Sequence, residues 1–110
     1  MNIGFLVCSS PESQDGFTVG RLAGEFLSAG HQVSLFFMDD GVYHAAKGAG
    51  SHSKLALERL VEQGAKAALC AVTAKARALE QAHLYPSVEW SSQYELAQMV
   101  KKADRFLAFG

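Results

Sequence analysis

A chain of 110 residues, 49% hydrophobic and 19% charged, is long enough to bury a core without disulfide or metal staples, and this composition excludes intrinsic disorder. Ten Lys and Arg stand against eleven Asp and Glu, for a net charge of -1. No basic field exists to concentrate a phosphate backbone or an anionic bilayer, so neither nucleic acid nor membrane is an expected partner.

In chain order, residues 3–8 form a continuous apolar run of the kind that suits a strand buried on both faces. The run is too short for a signal peptide or a membrane span and has no basic leader. We therefore expect a cytoplasmic protein whose two cysteines are thiols rather than a structural bridge. Residues 9–16 form a loop. The helix after it brings Leu22 and Phe26, with Ala23 and Leu27, onto one face and stops at Gly30. A second strand spans 31–38 and breaks at Asp39-Asp40-Gly41. Residues 42–52, with Gly48 and Gly50, read as an excursion above the sheet that is mobile or orders only when something packs on it. Ser53 is placed to cap a helix that buries Leu57, Leu60 and Val61 before Gly64 closes it.

Residues 65–71 form a third strand. Thr73 is placed to cap an Ala-rich helix running to Ala82, and a short extended piece follows around residues 87–90. Ser92-Gln93-Tyr94-Glu95 is a capping-box sequence opening a helix with Leu96, Met99 and Val100 on one face, and residues 105–109 supply a last strand. Strands and helices alternate throughout. The pattern predicts one domain, residues 1–110, built as a three-layer α/β/α sandwich around a five-stranded, mainly parallel sheet. Ligands of such sheets bind above the carboxyl ends of the strands, so loops 8–16, 39–52 and 70–74 should share one rim.

Cys70 is the residue most able to carry chemistry on that rim. It stands where an apolar strand ends and a short helix begins, and no second cysteine at CxxC spacing makes it half of a dithiol switch. A thiolate there would be favoured by the free N–H groups at the helix start and by Lys75 and Arg77 within about a turn. The opposing reading is a small buried apolar residue at a strand end, with Lys75 and Arg77 on a solvated helix face. Cys8 also ends a strand on this rim. It is within reach of Cys70 only if strands one and three are neighbours, and the strand order cannot be read from the sequence.

Three local patterns resemble the DsrE/DsrF-like sulfur-relay family: Ile3-Gly4-Phe5-Leu6-Val7-Cys8-Ser9-Ser10-Pro11, then Asp40-Gly41-Val42-Tyr43-His44-Ala45, then Cys70 followed by Ala74-Lys75-Ala76-Arg77-Ala78-Leu79. The passage Ala103-Asp104-Arg105-Phe106-Leu107 is similar to the family's last helix-to-strand connection. The resemblance implies a cytoplasmic α/β domain that assembles into trimers or hexamers, or into hetero-oligomers. It also implies that sulfur is carried as a persulfide on the cysteine after the third strand, here Cys70, between a donor and an acceptor protein. Ser9, Tyr43, Lys75 and Arg77 are then the candidates for binding substrate or stabilising the thiolate, with Tyr43 as a wall or lid. The family often has glycine soon after the helix's arginine, where this chain has Ala78-Leu79-Glu80.

No cofactor and no metal is expected. Gly48-Ala49-Gly50-Ser51-His52-Ser53-Lys54 lacks the last glycine of GxGxxG and the Walker Lys-Ser/Thr pair, and Glu12 and Asp15 would repel a flavin phosphate in loop 9–16. The four histidines show no metal spacing. His44 and His52 read as exposed loop residues on the rim, either one able to shuttle a proton to Cys70. Two other functions remain in view: a non-catalytic oligomeric protein-binding subunit with a packed Cys70, and a small nucleotide- or flavin-binding module.

Overall fold

The computed structural model describes residues 1–110. Five strands, β1 (Asn2–Val7), β2 (Gln32–Phe37), β3 (Lys66–Cys70), β4 (Val88–Ser91) and β5 (Arg105–Phe109), form one sheet in the order β4-β3-β2-β1-β5. Every adjacent pair is parallel. The expected mainly parallel sheet is thus entirely parallel. All carboxyl ends lie on one edge, and β2 separates β1 from β3.

Strand alternation divides the side chains between two layers. Ile3, Phe5, Val7, Val33, Leu35, Phe37, Ala67 and Leu69 point to one face, where they form a core with Val19 and Ala23 of α1 (Gln14–Ser28) and Leu57 and Leu60 of α2 (Leu57–Glu62). Phe5, Phe37 and Leu69 are completely buried, and such residues each contribute about 1.5–3 kcal/mol relative to exposure. The opposite face carries α4 (Gln93–Lys102). Gly4 lets this layer close on β1, since a Cβ there would come 2.8 Å from the Phe106 ring and 3.3 Å from Met99 Cε. Phe36 is buried on this side. No α4 residue is fully buried, and a groove of about 420 Å³ runs between Glu95, Gln98 and Met99 and the sheet residues Ser34, Phe36 and Ala68.

Three expectations about the rim need correction. Residues 39–52 are not a loose excursion. They form two 3-10 segments, Asp39–Ala45 and Ala49–His52, with Val42, His44, Ala45 and Ala46 buried. Ser53 does not cap α2. Its hydroxyl is taken by His44 and by the Leu55 N–H, and Ala56 precedes α2 at φ 57° with no side-chain cap. Thr73 lies inside α3 (Ala71–Ala76), whose N-cap is Cys70, so strand passes into helix with no intervening loop. The helix also ends earlier than Ala82. Ala78 adopts φ 60°, the left-handed region that favours glycine.

Candidate functional site

Because β3 runs straight into α3, the Cys70 side chain sits beside the first N–H groups of a helix, and those groups have no intrahelical partners. Cys70 is 1% exposed. Burial pushes its thiol up, but the hydrogen-bonding groups of Gln93, Thr73 and Val72 around it outweigh that effect, and the balance lies below the ordinary thiol value. The Thr73 hydroxyl itself donates to the Cys70 carbonyl at 3.3 Å. The helix amides are the effect anticipated from the sequence. Gln93 is not.

Strand register explains how Gln93 arrives there. Cys70 pairs with Ser91 of β4, Ser92 caps α4 by accepting from the Glu95 N–H at 3.3 Å, and Gln93 is the first residue of the helix. On the other side of Cys70, Leu69 pairs with Phe37, which brings Met38 alongside. Gln93 Nε2 lies 3.7 Å from Met38 Sδ. Cys70, Met38, Thr73 and Gln93 therefore form one cluster at the carboxyl end of the sheet.

The other sequence candidates lie around this cluster. Arg77 Nε donates to Asp40 Oδ1 at 3.0 Å and its Nη1 to the Thr73 carbonyl at 3.2 Å. Lys75 is exposed. Neither cation is among the groups that act on the Cys70 thiol. Tyr43 is half-buried on the 3-10 segment that packs against α3. Ser9 is held elsewhere: its hydroxyl donates to Asp15 Oδ2 at 2.8 Å, and its carbonyl accepts from His44 Nε2 at 3.0 Å.

His44 is not an exposed loop residue. It is 1% exposed, stacks on Phe37 at 5.7 Å, and places Nδ1 2.6 Å from Ser53 Oγ. A carbonyl can only accept, so the ring proton sits on Nε2 and Nδ1 accepts from the Ser53 hydroxyl. Burial lowers the His44 pKa, against smaller opposing effects from its Ser9 hydrogen bond and the Asp15 charge. The ring is a neutral tie between loops with both nitrogens committed. His52 is exposed.

Cys8 and Cys70 are both free thiols, with β2 between their strands. Two strand spacings, about 9.6 Å, exceed the Cα separation a disulfide allows. Their environments differ too: burial and then the negative charge of Asp39 push the Cys8 thiol up.

This geometry can be set against known proteins. The family model described as the DsrE/DsrF-like family matches residues 1–109. The chain belongs to the DsrE/DsrF-like family. An uncharacterized protein of Methanopyrus kandleri is 30% identical over 110 residues, covering 94% of this chain and 90% of its own. A second uncharacterized protein, from Methanocaldococcus jannaschii, is 25% identical over 115 residues, covering 99% of this chain and 100% of its own. Among solved structures, the ychN protein from E. coli superposes with a TM-score of 0.86 at 26% identity, covering 99% of both chains. A protein of unknown function from Methanobacterium thermoautotrophicum gives a TM-score of 0.75 over 96% of this chain and 97% of its own, and at 13% identity shows the shared fold alone. The resemblance read from the sequence is thus established at the level of family and fold.

Gln93 and Met38 are the members of the Cys70 cluster that sequence reasoning passed over. Gln93 sits within the capping-box sequence already identified, but one side chain at a helix start gives no sign of what it faces until the strand order is known. Met38 read only as the end of a strand.

Proposed function

We propose that this protein carries sulfane sulfur on Cys70, as a persulfide, between a donor and an acceptor protein. The observation that supports this most directly is the contrast between its two thiols: Cys70 lies at a strand-to-helix junction with hydrogen-bond donors that favour the thiolate, whereas Cys8 lies beside Asp39. Membership in the DsrE/DsrF-like family supports the same reading.

The chemistry is thiol exchange. The Cys70 thiolate attacks the outer sulfur of a donor persulfide, R–S–SH; the new bond forms from Cys70 Sγ to that sulfur, and the donor S–S bond breaks to release R–S⁻. The product is Cys70–S–SH. An acceptor thiolate then takes the outer sulfur by the same exchange and returns Cys70 to the thiolate. Each transfer leaves the overall oxidation level unchanged, so no external oxidant or reductant is required. The α3 N–H groups favour the Cys70 thiolate that starts the first transfer and leaves in the second.

Two further elements belong to this proposal. Tyr94 and Val100 on α4 and Val72 on α3 are exposed apolar residues suited to contacts between copies in a homo-oligomer or with donor and acceptor proteins. A cytoplasmic setting suits a function that needs Cys70 reduced; no helix is long and apolar enough to cross a membrane.

The test is intact mass after incubation with polysulfide, or with a cysteine desulfurase plus cysteine, for the unaltered protein, Cys70→Ser and Cys8→Ser. Gain of one sulfur, lost in Cys70→Ser and kept in Cys8→Ser, is the expected result. Gain that follows Cys8 instead means a different carrier thiol. No gain in any form favours a protein-binding subunit in which the 1% exposed Cys70 is simply packed.

A further inference from the structure

We propose that Gln93 is a positioning residue for the sulfur of Cys70, and that with Met38 it bounds the space into which an outer sulfur on Cys70 extends. This inference deepens the persulfide reading and rests on it for the second clause only.

The placement follows from the topology. Ser91 pairs with Cys70 across β3 and β4, and two residues later the chain turns into α4, so its first residue stands at the same edge of the sheet. Gln93 is exposed, and burial in a core therefore does not explain its contacts. Its side-chain amide lies 3.7 Å from Met38 Sδ, at the edge where strand register sets Met38 and Ser91 on either side of Cys70, and it is among the groups that favour the Cys70 thiolate. A primary amide carries two N–H donors, enough to serve both sulfurs.

The chemistry of a persulfide suits this enclosure. Its outer sulfur lies about 2.05 Å from Sγ and is a large, polarizable atom that bears the negative charge when the group ionises. It calls for an N–H donor and a soft wall, and must stay clear of carboxylates. Gln93 supplies a neutral donor and Met38 a thioether surface. Of the two carboxylates that follow Met38, Asp40 is engaged by Arg77 at 3.0 Å and Asp39 acts on Cys8, and neither is among the groups that act on the Cys70 thiol.

Access to the thiol is the remaining requirement. Cys70 is 1% exposed, so a donor sulfur reaches it only when part of its cover moves. Gln93, an exposed side chain held to Met38 by a weak N–H···S contact, can shift at little cost.

The experiment uses the full chain in a Cys8→Ser background, with Gln93→Met, Gln93→Glu and Gln93→Lys. The first keeps length but removes both donors, the second adds a negative charge, and the third restores a donor. Iodoacetamide alkylation of Cys70 is followed as a function of pH, and persulfide lifetime after polysulfide loading is followed by intact mass. Thermal melts confirm folding.

The expected result is that Gln93→Met and Gln93→Glu move the alkylation midpoint to higher pH and slow alkylation near neutrality by about tenfold, while Gln93→Lys does neither. A loaded persulfide should decay several-fold faster in the first two. Midpoints unchanged in Gln93→Met and Gln93→Glu overturn the positioning role, whatever the loading shows. A shifted midpoint with unchanged persulfide lifetime overturns the outer-sulfur pocket alone. Absence of sulfur gain in the unaltered protein overturns the carrier reading and the pocket with it, while the alkylation midpoints still decide whether Gln93 acts on the thiol.

Discussion

Arg77 on α3 donates from Nε to Asp40 Oδ1 at 3.0 Å, binding the helix after β3 to the 3-10 segment after β2. The pair spends the charge of Arg77 on a carboxylate rather than on the Cys70 sulfur. Asp40 is 61% exposed, so water screens the interaction and its contribution to stability should be small. Arg77→Gln should lower stability by about 0–1 kcal/mol in urea unfolding and leave the pH profile of Cys70 alkylation where it is. An alkylation midpoint that moves to higher pH would show that the guanidinium does act on the thiol.

Gly41 lies just beyond β2, packed against the end of β1 so closely that a Cβ would collide with the Val7 carbonyl oxygen. The obstacle is backbone held in the centre of the sheet, which cannot swing aside as a flexible side chain would. Gly41→Ala should therefore displace the whole 39–45 segment and the Tyr43 and His44 side chains with it. The expected cost is about 1–3 kcal/mol, as for other overpacked buried sites. Thermal melting reads it directly, and an unchanged melting temperature would mean that the segment relaxes freely.

The alternation of apolar runs and amphipathic helices made the architecture legible, because a parallel sheet buried on both faces needs nearly unbroken strands such as residues 3–8. Family resemblance was legible for the same reason, since its motifs sit at strand ends. Strand order was not, because a parallel crossover of given length reaches more than one neighbouring position. For that reason the distance between Cys8 and Cys70 became clear only with β2 between them. Residues 42–52 misled through Gly50 and His44, which read as solvent-facing, whereas His52 is exposed as expected. Yet Gly50 packs so closely that a Cβ would lie 2.8 Å from the His44 carbonyl oxygen, and His44 is paired on both nitrogens. The capping-box sequence around Ser92 located a helix start correctly, while the role of Gln93 depended on a pairing between residues far apart in the chain.

His44 makes stability depend on pH with a definite sign. Its native pKa lies below the ordinary imidazole value of 6.5, chiefly through burial. Above that value both native and unfolded chains hold the ring neutral, and the contribution of His44 is present in full. As pH falls below it, the unfolded chain binds a proton that the native ring refuses, so stability drops until the native pKa is reached. Protonation would also give Nδ1 a hydrogen, so that it could no longer accept from the Ser53 hydroxyl, while Nε2 could still donate to the Ser9 carbonyl. Urea unfolding measured from about pH 7.5 down to about pH 5.5 should show stability falling with acid. His44→Gln keeps a donor for Ser9 but has no titrating ring. It should start about 1–3 kcal/mol lower from disrupted buried hydrogen bonding and show a shallower slope over the same interval. Equal slopes in the two proteins would place the acid sensitivity elsewhere and show that His44 is free to take up its proton in the native state.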